Sequence, residues 1–115
     1  MDEKYISRSE LFLSEVNEII REHLSDINFD VKYLSAELKI SESTLRRKMQ
    51  KITKTSPVEL IRKTRLIHAG RMLRTDTGSI SEIARAVGFR NLPYFSKCFH
   101  DYFGMKPSLY KKNKK

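Results

Sequence analysis

Cysteine, tryptophan and long apolar runs are scarce or absent in this chain. The 115 residues include a single cysteine, Cys98, and no tryptophan. One cysteine excludes an internal disulfide, and the other potential ligands are too scattered to indicate a metal site. No apolar run is long enough to span a bilayer, and the N-terminal segment lacks the pattern of a secretory signal. We therefore expect a cytosolic protein without a cofactor or a membrane partner.

Catalytic patterns are also missing. The sequence contains no carboxylate pair, no nucleophile–base set and no glycine-rich phosphate loop. The three histidines, His23, His68 and His100, fall on different predicted helices, where surface or packing roles are the ordinary outcome. The sequence therefore predicts a protein that is not an enzyme.

Acidic residues become scarce after residue 30. Residues 1–30 hold three Lys/Arg and eight Asp/Glu (−5), and residues 31–115 hold twenty and six (+14), which together give the net charge of +9. A generic surface mixes the two signs more evenly, so the basic part is expected to face a polyanion. Charge alone does not choose between DNA, RNA and an anionic membrane.

Helix start signals divide the chain into seven helical segments. Six segments follow a cap residue and the last begins at a proline: Ser7, Asp30, Ser41, Ser56, Ser79, Asn91 and Pro107. The longest segment runs from Pro57 to about Arg74. These boundaries predict an N-terminal helix with a first lobe (1–54), a linker helix and loop (55–78), and a second lobe with a basic tail (79–115).

The chain repeats itself at an offset of 49 to 50 residues. Leu34, Leu38 and Ile40 correspond to Ile83, Val87 and Phe89, and Leu45, Met49, Thr53 and Pro57 correspond to Phe95, Phe99, Phe103 and Pro107. The change of offset means that the second copy has one extra residue in or near its turn. Each copy is a short helix, a tight turn and a longer helix. The predicted fold class is therefore all-α, with two helix-turn-helix units joined by a long linker helix.

The two turns differ in their small residues. Ala84 and Gly88 allow a close helix crossing in the second copy, and Ser35 does so in the first. Lys39 stands where Gly88 stands, so the first turn must accept a side chain at that position.

A helix-turn-helix places the N-terminal part of its second helix in a major groove of DNA. With the apolar residues turned inward, the outward, base-reading positions are Ser43, Arg46, Arg47, Pro93, Tyr94 and Lys97. Arginine can hold the O6/N7 edge of guanine, whereas proline and tyrosine can pack on thymine methyl groups. For Tyr94, packing against the core stays an equal alternative. The predicted phosphate contacts, which set register only, are Lys51, Lys54, Arg62, Lys63, Arg90 and Asn91.

The linker helix sets the distance between the two units. Its 18 residues, Pro57 to Arg74, span roughly 27 Å. That length suits two recognition helices about one turn of DNA, ~34 Å, apart. One chain would then contact two adjacent major-groove segments of double-stranded DNA, and bending of the DNA would relieve a mismatch.

Several stretches of the sequence resemble AraC/XylS-type transcriptional regulators. They are Ile80-x-x-Ile83-Ala84-x-x-Val87-Gly88-Phe89, Tyr94-Phe95-Ser96-x-x-Phe99, Tyr102-Phe103-Gly104-x-x-Pro107, Leu34-Ser35-Ala36-x-Leu38-x-Ile40-Ser41, Leu45-x-Arg47-Lys48 and Arg65-Leu66-x-x-Ala69. The resemblance covers about residues 25–110 and implies a seven-helix, two-lobed domain that usually activates transcription, with the same six base-reading positions. Lys54 departs from the pattern where a glycine is usual, whereas Gly104 keeps it.

The resemblance also implies parts that this chain does not contain. Family members normally carry a separate sensing domain, and the chain is similar to the C-terminal output modules of hybrid two-component regulators. We therefore expect a fragment of a larger protein that lacks its sensor or receiver domain, with RNA polymerase as an implied second partner. The alternative function is a basic helical module that docks an acidic protein.

Overall fold

The computed structural model describes residues 7–75 and 78–112, and these residues form seven α-helices and no strand. The helices are α1 (Arg8–Glu22), α2 (Val31–Leu38), α3 (Glu42–Thr53), α4 (Pro57–Arg74), α5 (Ile80–Ala86), α6 (Leu92–Phe103) and α7 (Pro107–Lys112). The predicted all-α class and the number of helices are confirmed. Asp76 and Thr77 of the predicted break after α4, and residues 113–115 of the basic tail, lie outside the described residues. The extents of 45 × 36 × 22 Å correspond to a flat body about two helices thick.

Helices α1 to α6 each begin after the predicted cap residue. Ser7 and Ser79 form complete capping boxes with Glu10 and Glu82. The other four caps accept a hydrogen bond from the backbone N–H three residues further on: Asp30, Ser41, Ser56 and Asn91. Because each cap satisfies a donor that the first helical turn leaves unpaired, the local sequence determines where these helices start. Helix α5 ends at Ala86, with Val87 as its C-cap.

Helix α4 contributes side chains to two separate hydrophobic cores. Its Ile61 lies in the first core together with Val16, Ile19, Ile20, Phe29, Leu34, Leu45 and Met49. Its Leu66, Ala69 and Leu73 lie in the second core together with Ile83, Ala84, Val87, Phe89, Phe95 and Phe99. These four residues of α4 are all buried. The linker helix is therefore a structural part of both lobes.

The two helix-turn-helix turns share one hydrogen-bonding pattern. The N–H of Ile40 donates to the carbonyl of Ser35 at 3.1 Å, and the N–H of Phe89 donates to the carbonyl of Ala84 at 2.9 Å. Lys39 and Gly88 occupy the same position in these turns, and both have positive φ, 61° and 95°. Ile40 corresponds to Phe89 at an offset of 49, and the cap residue Ser41 corresponds to the cap residue Asn91 at an offset of 50. The extra residue of the second copy is therefore Arg90.

The first long helix ends as the second does, despite the missing glycine. Lys54 adopts a left-handed conformation with φ 62°, and its N–H donates to the carbonyl of Gln50 at 3.0 Å. Gly104 ends α6 in the same conformation, with φ 80°. A lysine is strained there because its Cβ comes close to the following carbonyl oxygen, whereas glycine has no Cβ.

We therefore expect Lys54→Gly to stabilise the protein by roughly 1 kcal/mol, because it removes this strain. Urea denaturation followed by circular dichroism measures the change. The control is Gln50→Gly, at an exposed position inside the same helix, which should cost about 1 kcal/mol. A destabilised Lys54→Gly variant would contradict the left-handed helix end.

Candidate nucleic-acid interface

Helix α3 exposes the three side chains predicted to read bases. Leu45 and Met49 are fully buried, and because burial sets the rotation of the helix, Ser43, Arg46 and Arg47 lie on the exposed side. The Arg46 guanidinium is 4.0 Å from the carboxylate of Glu42, one turn earlier, and its side chain is 58% exposed. An exposed ion pair of this length is weak, so Arg46 can exchange Glu42 for another acceptor.

Helix α6 repeats this arrangement. Phe95 and Phe99 are fully buried, whereas Pro93, Tyr94 and Lys97 are exposed. The ammonium group of Lys97 is 3.4 Å from the carboxylate of Asp101, and both side chains are mostly in solvent. This helix therefore also presents polar and flat apolar groups outward from a fully buried aromatic stripe.

Tyr94 packs against the core and is also exposed to solvent. Its ring packs against Phe89, with the centroids 5.9 Å apart, yet the residue is 47% exposed. Its hydroxyl accepts a hydrogen bond from Arg62 at 3.4 Å. Packing on one side and hydrogen bonding at the tip hold the ring in place while leaving one face open.

A groove of about 540 Å³ lies between α4 and α6. Its lining includes Arg62 and Lys63 from α4 and Tyr94 and Lys97 from α6, together with Thr55 from the segment after α3. Two predicted phosphate contacts and two predicted base contacts therefore line the same groove. Glu59 and Asp101 also line it, so its positive charge is partly balanced.

The six predicted phosphate contacts differ in how freely they can move. The side chains of Lys51, Lys54 and Lys63 are exposed and extend into solvent. Arg62 is half-buried and lies 3.6 Å from the carboxylate of Glu59. The three lysines are thus exposed cations, whereas Arg62 is paired with Glu59 on the same helix.

The other two candidates have structural contacts of their own. Arg90 donates a hydrogen bond to the side-chain oxygen of Asn28, in the loop between α1 and α2, at 2.7 Å. The side-chain oxygen of Asn91 accepts the N–H of Tyr94 at 2.8 Å. Arg90 therefore links the two lobes, and Asn91 caps the second recognition helix.

Sequence reasoning gave no site role to Arg65, which the structure places between the lobes. Its guanidinium donates to the backbone carbonyls of Asp26, at 2.9 Å, and Phe29, at 3.4 Å. Its Nε is buried and has no hydrogen-bond partner among the described residues. Burial lowers the pKa of Arg65 from its ordinary value, and the nearby charge of Asp26 partly offsets this shift.

No group of three or more His, Cys, Asp or Glu side chains within 7–75 and 78–112 is placed to hold a metal ion. Burial, followed by the charges of Arg71 and Arg21, lowers the pKa of His68. None of the helices in this part of the chain is both long and apolar enough to cross a membrane.

Two helix-turn-helix units that share one linker helix define a class of double helix-turn-helix regulator domains. Residues 34–113 match a family model described as a helix-turn-helix domain. Known transcriptional regulators match this chain in sequence and in fold. The chain belongs to the AraC-type helix-turn-helix family.

Two relatives illustrate the sequence similarity. The chain is 36% identical over 115 residues to histidine kinase P4 of Formosa agariphila, a match that covers 93% of this chain and 8% of that protein. It is 35% identical over 95 residues to the HTH-type transcriptional regulator GbdR of Pseudomonas aeruginosa, covering 83% of this chain and 26% of that protein. The chain thus spans only 8% and 26% of the length of these two relatives.

Two solved structures illustrate the similarity in fold. The C-terminal domain of AraT, a response regulator from Geobacillus stearothermophilus, superimposes with a TM-score of 0.86 at 26% identity, covering 94% of this chain and 89% of that one. The DNA-binding domain of AdpA, a global transcriptional factor solved in complex with a target DNA, gives a TM-score of 0.80 at 31% identity, covering 87% and 89%.

The capping role of Asn91 can be tested apart from any other role. We expect Asn91→Ala to cost about 1 kcal/mol of stability, because α6 loses its N-cap acceptor, and Asn91→Asp to cost little, because aspartate caps equally well. Thermal denaturation measures both variants. Equal losses for alanine and aspartate would show that the cap is not what stabilises this end of α6.

Proposed function

We propose that this chain binds double-stranded DNA sequence-specifically as the output module of a transcription regulator, which is usually an activator in this family. The observation that supports it best is the paired exposure of equivalent faces on α3 and α6, each fixed by buried residues beneath it. The AdpA domain, 31% identical to this chain, was solved in complex with a target DNA, and a fold shared at that identity supports DNA binding by this chain.

Each recognition helix contributes its own kind of contact. On α3, Arg46 and Arg47 hold guanine edges and Ser43 adds a hydrogen bond. On α6, Pro93 and Tyr94 pack against thymine methyl groups, beside the cation of Lys97. The residues in the role of phosphate contacts are Lys51, Lys54, Arg62, Lys63, Arg90 and Asn91.

The linker helix allows the two recognition helices to bind the same duplex. Its 18 residues correspond to roughly 27 Å, which suits adjacent major-groove segments about one turn apart. The functional units are a first lobe (1–54), a linker (55–78) and a second lobe (79–115). Because the linker is helical and packed into both lobes, DNA bends to meet the protein.

The full-length protein has further parts in this proposal. The match to a small part of histidine kinase P4 and the likeness to a response-regulator domain support a module joined to a sensor or receiver domain. RNA polymerase is the partner through which such a module activates transcription. The module itself performs no catalysis and acts in the cytoplasm.

Arg46→Ala tests the base-reading role. We expect it to cost roughly 1–3 kcal/mol on a site selected from a random duplex library, and to relax the preference at one base pair. The matched control is Lys48→Ala, which removes the same charge from the same helix; the Lys48 ammonium instead lies over the ring of Phe12, 4.9 Å from its centroid. Fluorescence anisotropy on selected and random duplexes measures both variants.

The result with Arg46→Ala distinguishes a base contact from a phosphate contact. Equal losses on selected and random DNA would place Arg46 on the phosphate backbone. If the wild-type domain binds duplex no more strongly than heparin at physiological salt, the proposal fails, and a module that docks an acidic protein becomes the better reading.

Lys51→Ala tests a phosphate contact. Each phosphate neutralised by a cation contributes about −0.9 to the slope of log K against log salt, so the variant should have a slope shallower by about 0.9. Its affinity should fall by the same factor on every duplex sequence. A loss confined to one base pair would show instead that Lys51 reads sequence.

A further inference from the structure

The turns of the two helix-turn-helix copies differ in sequence and in length. The second copy has Gly88 where the first has Lys39, and it has the extra residue Arg90. Both differences lie in the turn between α5 and α6. This turn packs against the loop between α1 and α2, which belongs to the other lobe.

The contact with the first lobe requires glycine at position 88 more strictly than the turn itself does. A Cβ at Gly88 would lie 2.5 Å from the carbonyl oxygen of Leu24 and 2.6 Å from Nε of Arg65. Lys39 shows that the equivalent turn accepts a side chain with φ 61°. The backbone of the second turn therefore touches the first lobe at a distance that no side chain permits.

Two arginines close the same contact with hydrogen bonds. Arg65, from the shared helix α4, donates to the carbonyls of Asp26 and Phe29, and Arg90 donates to the side chain of Asn28. Two backbone hydrogen bonds order the loop that accepts these bonds. The N–H of Asp26 donates to the carbonyl of His23 at 3.0 Å, and the N–H of Phe29 donates to the carbonyl of Asp26 at 3.1 Å. Phe29 is 2% exposed in the first core, so the acceptors belong to the body of the first lobe.

We infer that Gly88 and Arg65, assisted by the pair Arg90–Asn28, lock the two lobes in one relative orientation. Gly88 and Arg65 are positioning residues, since they hold the second recognition helix relative to the first and need no contact with DNA. Helix α4 alone sets the distance between the lobes, whereas this contact sets their rotation about the helix.

The consequence for DNA rests on the proposed function. Inserting one base pair between two half-sites moves the second by about 3.4 Å and rotates it by about 34°. Locked lobes cannot follow that rotation, so the domain requires one half-site spacing. Loosened lobes tolerate several spacings with a lower affinity for the best one.

The first test needs no DNA. Nitroxide labels are placed at Glu37→Cys and Ala86→Cys, two exposed positions on α2 and α5, in a Cys98→Ala background, and pulsed electron resonance gives the distance distribution. The wild-type lobes should give one narrow peak, and Gly88→Ala should broaden or move it. Gly104→Ala is the matched control, because Gly104 also has positive φ but no heavy atom within 4 Å of its added Cβ, so its peak stays narrow.

Arg65→Met is the second variant. If circular dichroism shows that Gly88→Ala does not fold, Arg65→Met tests whether this contact locks the lobes. It removes the hydrogen bonds to the first lobe without adding a clash, and it should broaden the same peak. A broad wild-type distribution, or an unchanged peak in the folded variants, overturns the lock.

The second test uses duplexes selected from a random library, with and without one inserted base pair. The wild-type domain should lose roughly tenfold in affinity on insertion, as for a lost base contact, and Arg65→Met should lose clearly less. An equal loss in both proteins overturns the role in spacing. If the labels give a narrow peak but no duplex is bound, the proposed function fails and the lock stands.

Discussion

The side chains of helix α4 pack into two hydrophobic cores at once. Ile61 belongs to the first core, and Leu66, Ala69 and Leu73 belong to the second. Because burial of apolar surface is the main favourable contribution to folding, separating either lobe from α4 would expose part of its core. The helix therefore cannot act as a flexible tether, and the position of each lobe along it is set by packing. The rest of the molecule is arranged around this constraint.

The outward faces of the recognition helices follow from the same packing. Burial of Leu45 and Met49 fixes the rotation of α3 about its axis, and burial of Phe95 and Phe99 fixes that of α6. The opposite side of each helix is therefore exposed to solvent. A helix whose rotation is set by buried residues presents its exposed side chains in a defined direction. The helix that carries these side chains is already ordered, so a partner that binds does not have to order the backbone.

The two copies of the motif also show how a repeat can diverge without losing its fold. Lys39 and Lys54 take left-handed conformations in the first copy where Gly88 and Gly104 do so in the second. The turn and the helix end survive, because hydrogen bonds and core packing outweigh a local strain of about 1–2 kcal/mol each. At Gly88 a further requirement is added by the neighbouring lobe, so among these four positions it is the one that combines a positive φ with a close approach of another lobe.

The sequence by itself determined the helices, their starts, the two repeated units and the outward set Ser43, Arg46, Arg47, Pro93, Tyr94 and Lys97, because caps and apolar periodicity act over only a few residues. It also indicated, through the mismatch of Lys39 with Gly88, that the two turns are not equivalent. Only the tertiary structure decided that Arg90 joins Asn28, and that Arg65 reaches the carbonyls of Asp26 and Phe29. Those partners lie 36 to 62 residues apart along the chain. Contacts over such separations depend on how whole helices pack, and no local pattern encodes that.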